Sequence, residues 1–163
     1  MEALDDRLKS LMGRFPRAGS MEWIGLRPRY RASVEAVQTA HAVAGFGLTG
    51  DHSAVKGGGK RQVTLIQAEH LAAVARMLGR DAIDPALLRR NIVVAGINLL
   101  ALQDREFRIA NAVLLGTGPC APCSRMEEAL GPGGLNAMRG HGGITAIVVT
   151  SGSIHLGDPV EAT

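Results

Sequence analysis

Short β-prone runs, each closed off by glycine, asparagine or proline, restrict the fold of this chain more than any other feature. They are Ser33–Thr39, Gln62–Ile66, Asn91–Val94, Asn98–Leu102, Phe107–Ile109, Ala112–Leu115, Ile144–Thr150 and Ser153–Val160. Two internal helices interrupt them. Within Gln67–Leu78, Ala68, Leu71, Ala75 and Leu78 recur at helical spacing, and Gly79 follows as a stop. Asp84-Pro85 supplies an N-cap and a first-turn proline for a second helix that runs to about Arg90. At the start of the chain, Leu4, Leu8 and Leu11 share one face of a short helix that Gly13 ends. The stretch Phe15–Arg31 is basic and punctuated by Pro16 and Pro28, which predicts an edge strand or an ordered loop around Trp23-Ile24-Gly25-Leu26. Many short strands with few helices make a mainly β fold, a barrel or a sandwich rather than a βαβ repeat.

A chain of 163 residues fits one domain and can bury a core without disulfide staples. Aromatic residues are only 3% of it, so Ala, Val, Leu and Ile must build that core. The same scarcity argues against a surface that stacks single-stranded bases, and no nucleic-acid partner is expected. A net charge of +3 favours an anionic ligand only weakly. Residues 1–6 carry acidic side chains and no apolar core, so no secretory leader is expected, and no apolar run reaches membrane-spanning length. The expected setting is therefore the cytoplasm, with no membrane partner. In a reducing compartment, two cysteines three residues apart point to catalysis, redox chemistry or metal binding rather than to a disulfide framework.

Those cysteines lie in Gly116-Thr117-Gly118-Pro119-Cys120-Ala121-Pro122-Cys123-Ser124-Arg125. Met126 and Leu130 are four apart, which gives Ser124–Leu130 a helical look and puts Cys123 at a helix N-terminus. Free N–H groups there favour a thiolate, and Arg125 adds a positive charge. The alternative is that both cysteines are small buried hydrophobes. A second candidate segment, Gly50–Gln62, combines Gly57-Gly58-Gly59 with Lys56, Lys60 and Arg61, a pattern suited to an oxyanion. It lacks the spacing of a nucleotide-binding P-loop, and a solvated surface loop is the competing account. Arg89-Arg90-Asn91 offers an anion fork beside an amide able to read a heterocycle edge. Arg139-Gly140-His141-Gly142-Gly143 is a basic turn whose glycines permit close ligand approach or shape a bend. Of the histidines, only His52 and His141 fall in candidate loops.

Three chemistries compete for these pieces. Zinc would take Cys120, Cys123 and one or two histidines, but no second Cys-x-x-Cys or His-x-x-x-His is present. A dithiol oxidoreductase would use the same pair, without the strand–helix setting such sites need. The third is a soft-metal or sulfur site, in which a thiolate meets a metal carried by an anionic organic group.

The chain resembles the MOSC domain, the family named for the C-terminal domain of molybdenum cofactor sulfurase, in its small stand-alone bacterial form. The segments that carry the resemblance run from about Met21 to Val160. They are Met21–Pro28, Gly47–His52, Lys60–Ile66, Leu88–Leu99, Pro122-Cys123, Gly142-Gly143-Ile144 and Gly157–Val160. It implies a MOSC-type β-barrel over 21–163, preceded by an N-terminal helix or extension over 1–20. It also implies a site built round one cysteine that carries sulfur or ligates the molybdenum of a pterin cofactor (molybdopterin). Cys123 is the matching position, as catalytic residue and metal ligand, and Cys120 matches none. By the same resemblance Arg61, Arg90, Asn91 and Arg139 fall in segments that face the cofactor. With Lys60 of the basic glycine-rich loop, they are the residues expected to hold its phosphate and pterin. An enzyme of this kind would reduce N-hydroxylated compounds with electrons from external donor proteins. The alternative is a carrier that holds a persulfide or the cofactor on Cys123 without turnover. His141 departs from the plainer Arg-Gly-Gly turn of the family.

Overall fold

The structure is a computed structural model that describes Glu2 to Thr163, with Glu2 described by its backbone alone. Its strands are β1 (Gly19–Leu26), β2 (Glu35–Val37), β3 (Thr39–Val43), β4 (Gly47–Leu48), β5 (Val63–Gln67), β6 (Ile92–Ala95), β7 (Glu106–Ile109), β8 (Ala112–Pro119), β9 (Ile144–Thr150), β10 (Gly152–His155) and β11 (Pro159–Ala162). The helices are α1 (Glu2–Met12), α2 (Ala68–Met77), α3 (Ser124–Leu130) and α4 (Gly134–Met138). One sheet runs β11-β7-β8-β9-β5-β6-β1, and β11 pairs back onto β1, so these strands close a barrel with β2 added at β1. Closure removes the free edges that an open sheet of this size would expose. A smaller sheet, β10-β3-β4, is not hydrogen-bonded into that ring but packs on the same core through Ala42, Leu48 and Ile154.

The pairing is antiparallel except between β5 and β6, which run parallel with Leu65 opposite Ile92. A parallel pair needs a crossover, and α2 supplies it. This arrangement buries both faces of β5. Leu65, Ile92 and Val94 point into the barrel with Met21, Ile24, Phe107, Leu114 and Ile144. Ile66 and Val93 point outward, under Leu71 and Val74 of α2, Met126 and Leu130 of α3, and Met138 of α4. A continuously apolar strand is what burial on two faces requires.

Several sequence expectations change. The stretch around Trp23 is no edge: β1 pairs with β2, β6 and β11 and completes the barrel. Asn98–Leu102 is a 3₁₀ helix over Leu99–Leu102, not a strand, because the Asn98 side chain accepts from Leu100 N–H at 3.2 Å and caps it. Leu99 and Leu102, three apart, are both buried, as the threefold period dictates. The helix opened by Asp84-Pro85 is likewise a single 3₁₀ turn, Pro85–Leu88, with the Asp84 carboxylate accepting from Ala86 N–H. Ser153–Val160 breaks at Gly157, whose φ of 86° sends β10 and β11 into different sheets. The helix α4 had no expectation behind it, and α1 forms as expected but leaves Leu4, Leu8 and Leu11 exposed. Among the described residues no helix is long and apolar enough to cross a membrane.

Candidate functional site

Where β1, β5 and β6 come together, a cleft of about 230 Å³ opens beside the barrel. Arg27, Asp51, Arg61, Thr64, Arg89, Arg90 and Asn91 are among the side chains that line it. Asp51 is buried and fully engaged: it accepts from Arg27 N–H at 2.8 Å, from Ser53 N–H at 3.3 Å and from the Ser53 hydroxyl. Its charge therefore serves to fold the His52–Ala54 turn onto the end of β1, leaving the arginines to set the sign of the cleft.

Arg90 is the central feature. Its side chain is buried, with Nε donating to the Gly142 carbonyl at 2.9 Å, one amino group to Leu88 at 2.8 Å and the other to Cys120 at 3.3 Å. No acidic residue pairs with it among the described residues. Burial holds its pKa below the usual guanidinium value; Cys120 opposes this, Arg61 adds to it, and Cys123 opposes it last. Arg90 thus lies within electrostatic reach of Arg61 and both thiols. A buried cation held only by carbonyl dipoles is an invitation to an anion.

Asn91 is also buried. Its Oδ1 accepts from Thr64 N–H at 3.0 Å and the Thr64 hydroxyl at 3.2 Å, while Nδ2 donates to the Gly25 carbonyl at 3.1 Å. It stitches β5, β6 and β1 together at the cleft floor and keeps one amide hydrogen uncommitted. The preceding residue, Arg89, has φ of 59°, a left-handed conformation costly for a long side chain. One of its terminal nitrogens is buried without a partner among the described residues.

The two cysteines part company. Cys120 is buried, and its N–H donates to the Gly143 carbonyl at 2.8 Å. Cys123 is exposed and forms the N-cap of α3, with its carbonyl accepting from Met126 N–H at 2.8 Å. Among the described residues no group of three His, Cys, Asp or Glu side chains converges as a metal site. Lys60 and Arg139 are exposed and do not line the cleft. The structure therefore brings together Arg61, Arg90 and Asn91, with Cys123 nearby, and leaves Lys60 and Arg139 on flanking loops.

Those loops owe their glycines to the backbone. Gly57, Gly58 and Gly59 have φ of 65°, 69° and 73°, a left-handed run that only glycine adopts freely. A Cβ on Gly142 would stand 2.1 Å from the Cys120 carbonyl oxygen, and one on Gly143 would stand 1.8 Å from that of Leu65. The close approach these two permit is to the protein's own strands. Glu127 likewise has local work: its carboxylate accepts from Gly133 and Leu135 N–H, both at 2.8 Å, and so caps α4. These bonds hold its pKa below the usual glutamate value. The folded state thus gains stability from ionised Glu127 above the ordinary glutamate pKa and loses it as pH falls through the lowered one. Glu127→Gln should flatten the acid limb of a stability-against-pH curve and lower stability at neutral pH. Thermal melts over the acid range check this.

A small closed barrel thus carries a basic cleft floored by an amide, with an exposed thiol on a neighbouring segment. The sequence pattern of the MOSC domain matches residues 52–161, and the chain belongs to the MOSC domain family. No curated protein matches it. In fold it is similar to the YuaD protein from Bacillus subtilis, with a TM-score of 0.78 at 20% identity over 91% of this chain and 98% of that one. YiiM from Geobacillus stearothermophilus gives 0.72 at 16% identity, covering 89% and 75% of the two chains. YiiM from Escherichia coli gives 0.67 at 18% identity, covering 91% and 70%.

Proposed function

We propose that this protein binds a molybdenum–pterin cofactor in the basic cleft, with the Cys123 thiolate as a metal ligand. One observation carries the reading: Arg90, a buried cation without an acidic partner among the described residues, lines the cleft with Arg61 and donates to the Cys120 carbonyl. The donor set fits the group. Guanidinium forks suit a phosphate, the uncommitted Asn91 amide hydrogen suits a pterin edge, and a thiolate suits a soft metal. Arg61, Arg90 and Asn91 would hold the cofactor within the cleft, and the exposed Lys60 and Arg139 would meet its outer anionic part.

When bound, the cofactor would supply two-electron chemistry able to remove oxygen from N-hydroxylated compounds, with electrons from external donor proteins. The chain's own contribution is to bind and orient. Three carbonyls fix the plane of the Arg90 guanidinium and take three of its five N–H groups, so the other two would meet a ligand from a side chain already held in place. The exposure of Cys123 also favours a second reading, a carrier that hands over sulfur or the cofactor without turnover on this chain.

Protein purified from a host that makes the cofactor should release about one equivalent of fluorescent oxidised pterin per chain. Its absence overturns the reading. In loaded protein, reduction of an N-hydroxylated purine with a supplied electron donor marks an enzyme, and stable loading without turnover marks a carrier.

A further inference from the structure

Next to the cofactor cleft, and sharing Arg89 with it, lies a second and wider cleft of about 590 Å³. Its wall includes Arg31, Arg89, Ser124, Arg125 and Glu128. None of the three arginines forms an ion pair among the described residues. Three guanidiniums against one carboxylate leave two positive charges facing the same space. Mutual repulsion makes such a grouping costly unless an anion offsets it.

Tyr30 packs against Arg31 of the second cleft. Its ring lies under the Arg31 guanidinium, with Cζ 5.3 Å from the ring centroid, and its centroid is 5.9 Å from that of His52. His52 belongs to the turn that Asp51 folds against the cofactor cleft. Across the second cleft, α3 presents Ser124 and Arg125 directly after Cys123. A molecule anchored here would lie against the first turn of α3, which Cys123 precedes.

We propose that the cleft of Arg31, Arg89 and Arg125 is a binding site for a dianionic phosphoryl group, and that it anchors a phosphorylated substrate beside Cys123. The charge of the site matches a phosphate monoester, which is close to doubly ionised at neutral pH. Guanidinium forks match its oxygens. The left-handed backbone at Arg89 and its unpartnered buried nitrogen fit a residue kept for a ligand rather than for the fold. The substrate role rests on the molybdenum reading of Cys123; the anion site does not.

The chain carries its own reporter, because Tyr30 is its one tyrosine. Contact with Arg31 and then Arg125 holds the Tyr30 hydroxyl below the usual tyrosine pKa, and burial hardly opposes them. A phosphate seated between those arginines removes their pull, so the pKa of Tyr30 must rise. Tyrosinate absorbance is followed against pH in cofactor-free protein, with millimolar phenyl-free inorganic phosphate, with acetate, and with chloride at matched ionic strength. Phosphate should raise the Tyr30 midpoint well beyond the shift that chloride or acetate gives. Arg89→Gly suits the left-handed backbone and should fold; it should keep the starting midpoint and lose most of the phosphate response. Equal shifts in phosphate and chloride, or an undiminished response in Arg89→Gly, overturn the site. An equal shift in acetate overturns the phosphoryl assignment. Cofactor-loaded protein separates the two sources of phosphate. A retained response supports a substrate site, whereas a response lost on loading gives the cleft to the cofactor's own phosphate and overturns the substrate role. Because the first arm needs no molybdenum, its outcome is independent of whether the cofactor reading holds.

Discussion

Arg90→Met should lower the stability of the cofactor-free protein by about 3 kcal/mol, the net of three lost charge-assisted hydrogen bonds and the relieved burial of one charge. For a chain of this length that corresponds to a fall in Tm of about 6–12 °C. The lost partners are the carbonyls of Leu88, Cys120 and Gly142, which lie on three separate segments. Methionine replaces the aliphatic stem of the side chain but not its guanidinium, and it gives those buried oxygens no donor. Arg90→Lys should recover little, because one ammonium cannot reach three carbonyls set around a planar fork. Differential scanning calorimetry of the three proteins checks both expectations. An unchanged or higher Tm in Arg90→Met would mean that the buried charge costs more than its bonds return. Arg90 would then be there for a ligand alone.

This double duty explains how far the site could be read from the sequence. Arg61, Arg90 and Asn91 were legible as a group because anion-binding and amide side chains bracket two strand starts. That Arg90 and Asn91 also brace the fold was not legible, since their partners lie up to 66 residues away. Arg27 and Thr64 enter the cleft through similar long-range pairing, with Asp51 and Asn91 respectively. Arg89 left a trace that composition hides: a helix C-terminus at Arg89 without a glycine, where a left-handed residue was needed. The barrel itself was legible because its strands are short, apolar and sharply bounded. The misread segments share one cause. At Asn98 and Asp84 a single side chain caps a 3₁₀ turn, and such local hydrogen bonds outweigh the β-prone or helical pattern around them. The parallel β5–β6 pair escaped notice because one crossover helix does not make a repeat.

The thiol is where structure and chemistry separate most cleanly. Cys123 is exposed, and its side chain makes no capping bond to α3, so Cys123→Ala should leave the thermal transition within about 0.5 kcal/mol of the parent. Cys120 is packed in the interior, so a change there would mix folding with chemistry. The most direct measurement is therefore molybdenum per chain, by elemental analysis, in the parent and in Cys123→Ala purified in parallel from a host that makes the cofactor. The parent should hold close to one molybdenum, and the variant should hold at least about tenfold less, since even supporting residues around a metal are worth that much. Equal molybdenum in the two proteins would contradict the assignment of Cys123 as the metal ligand.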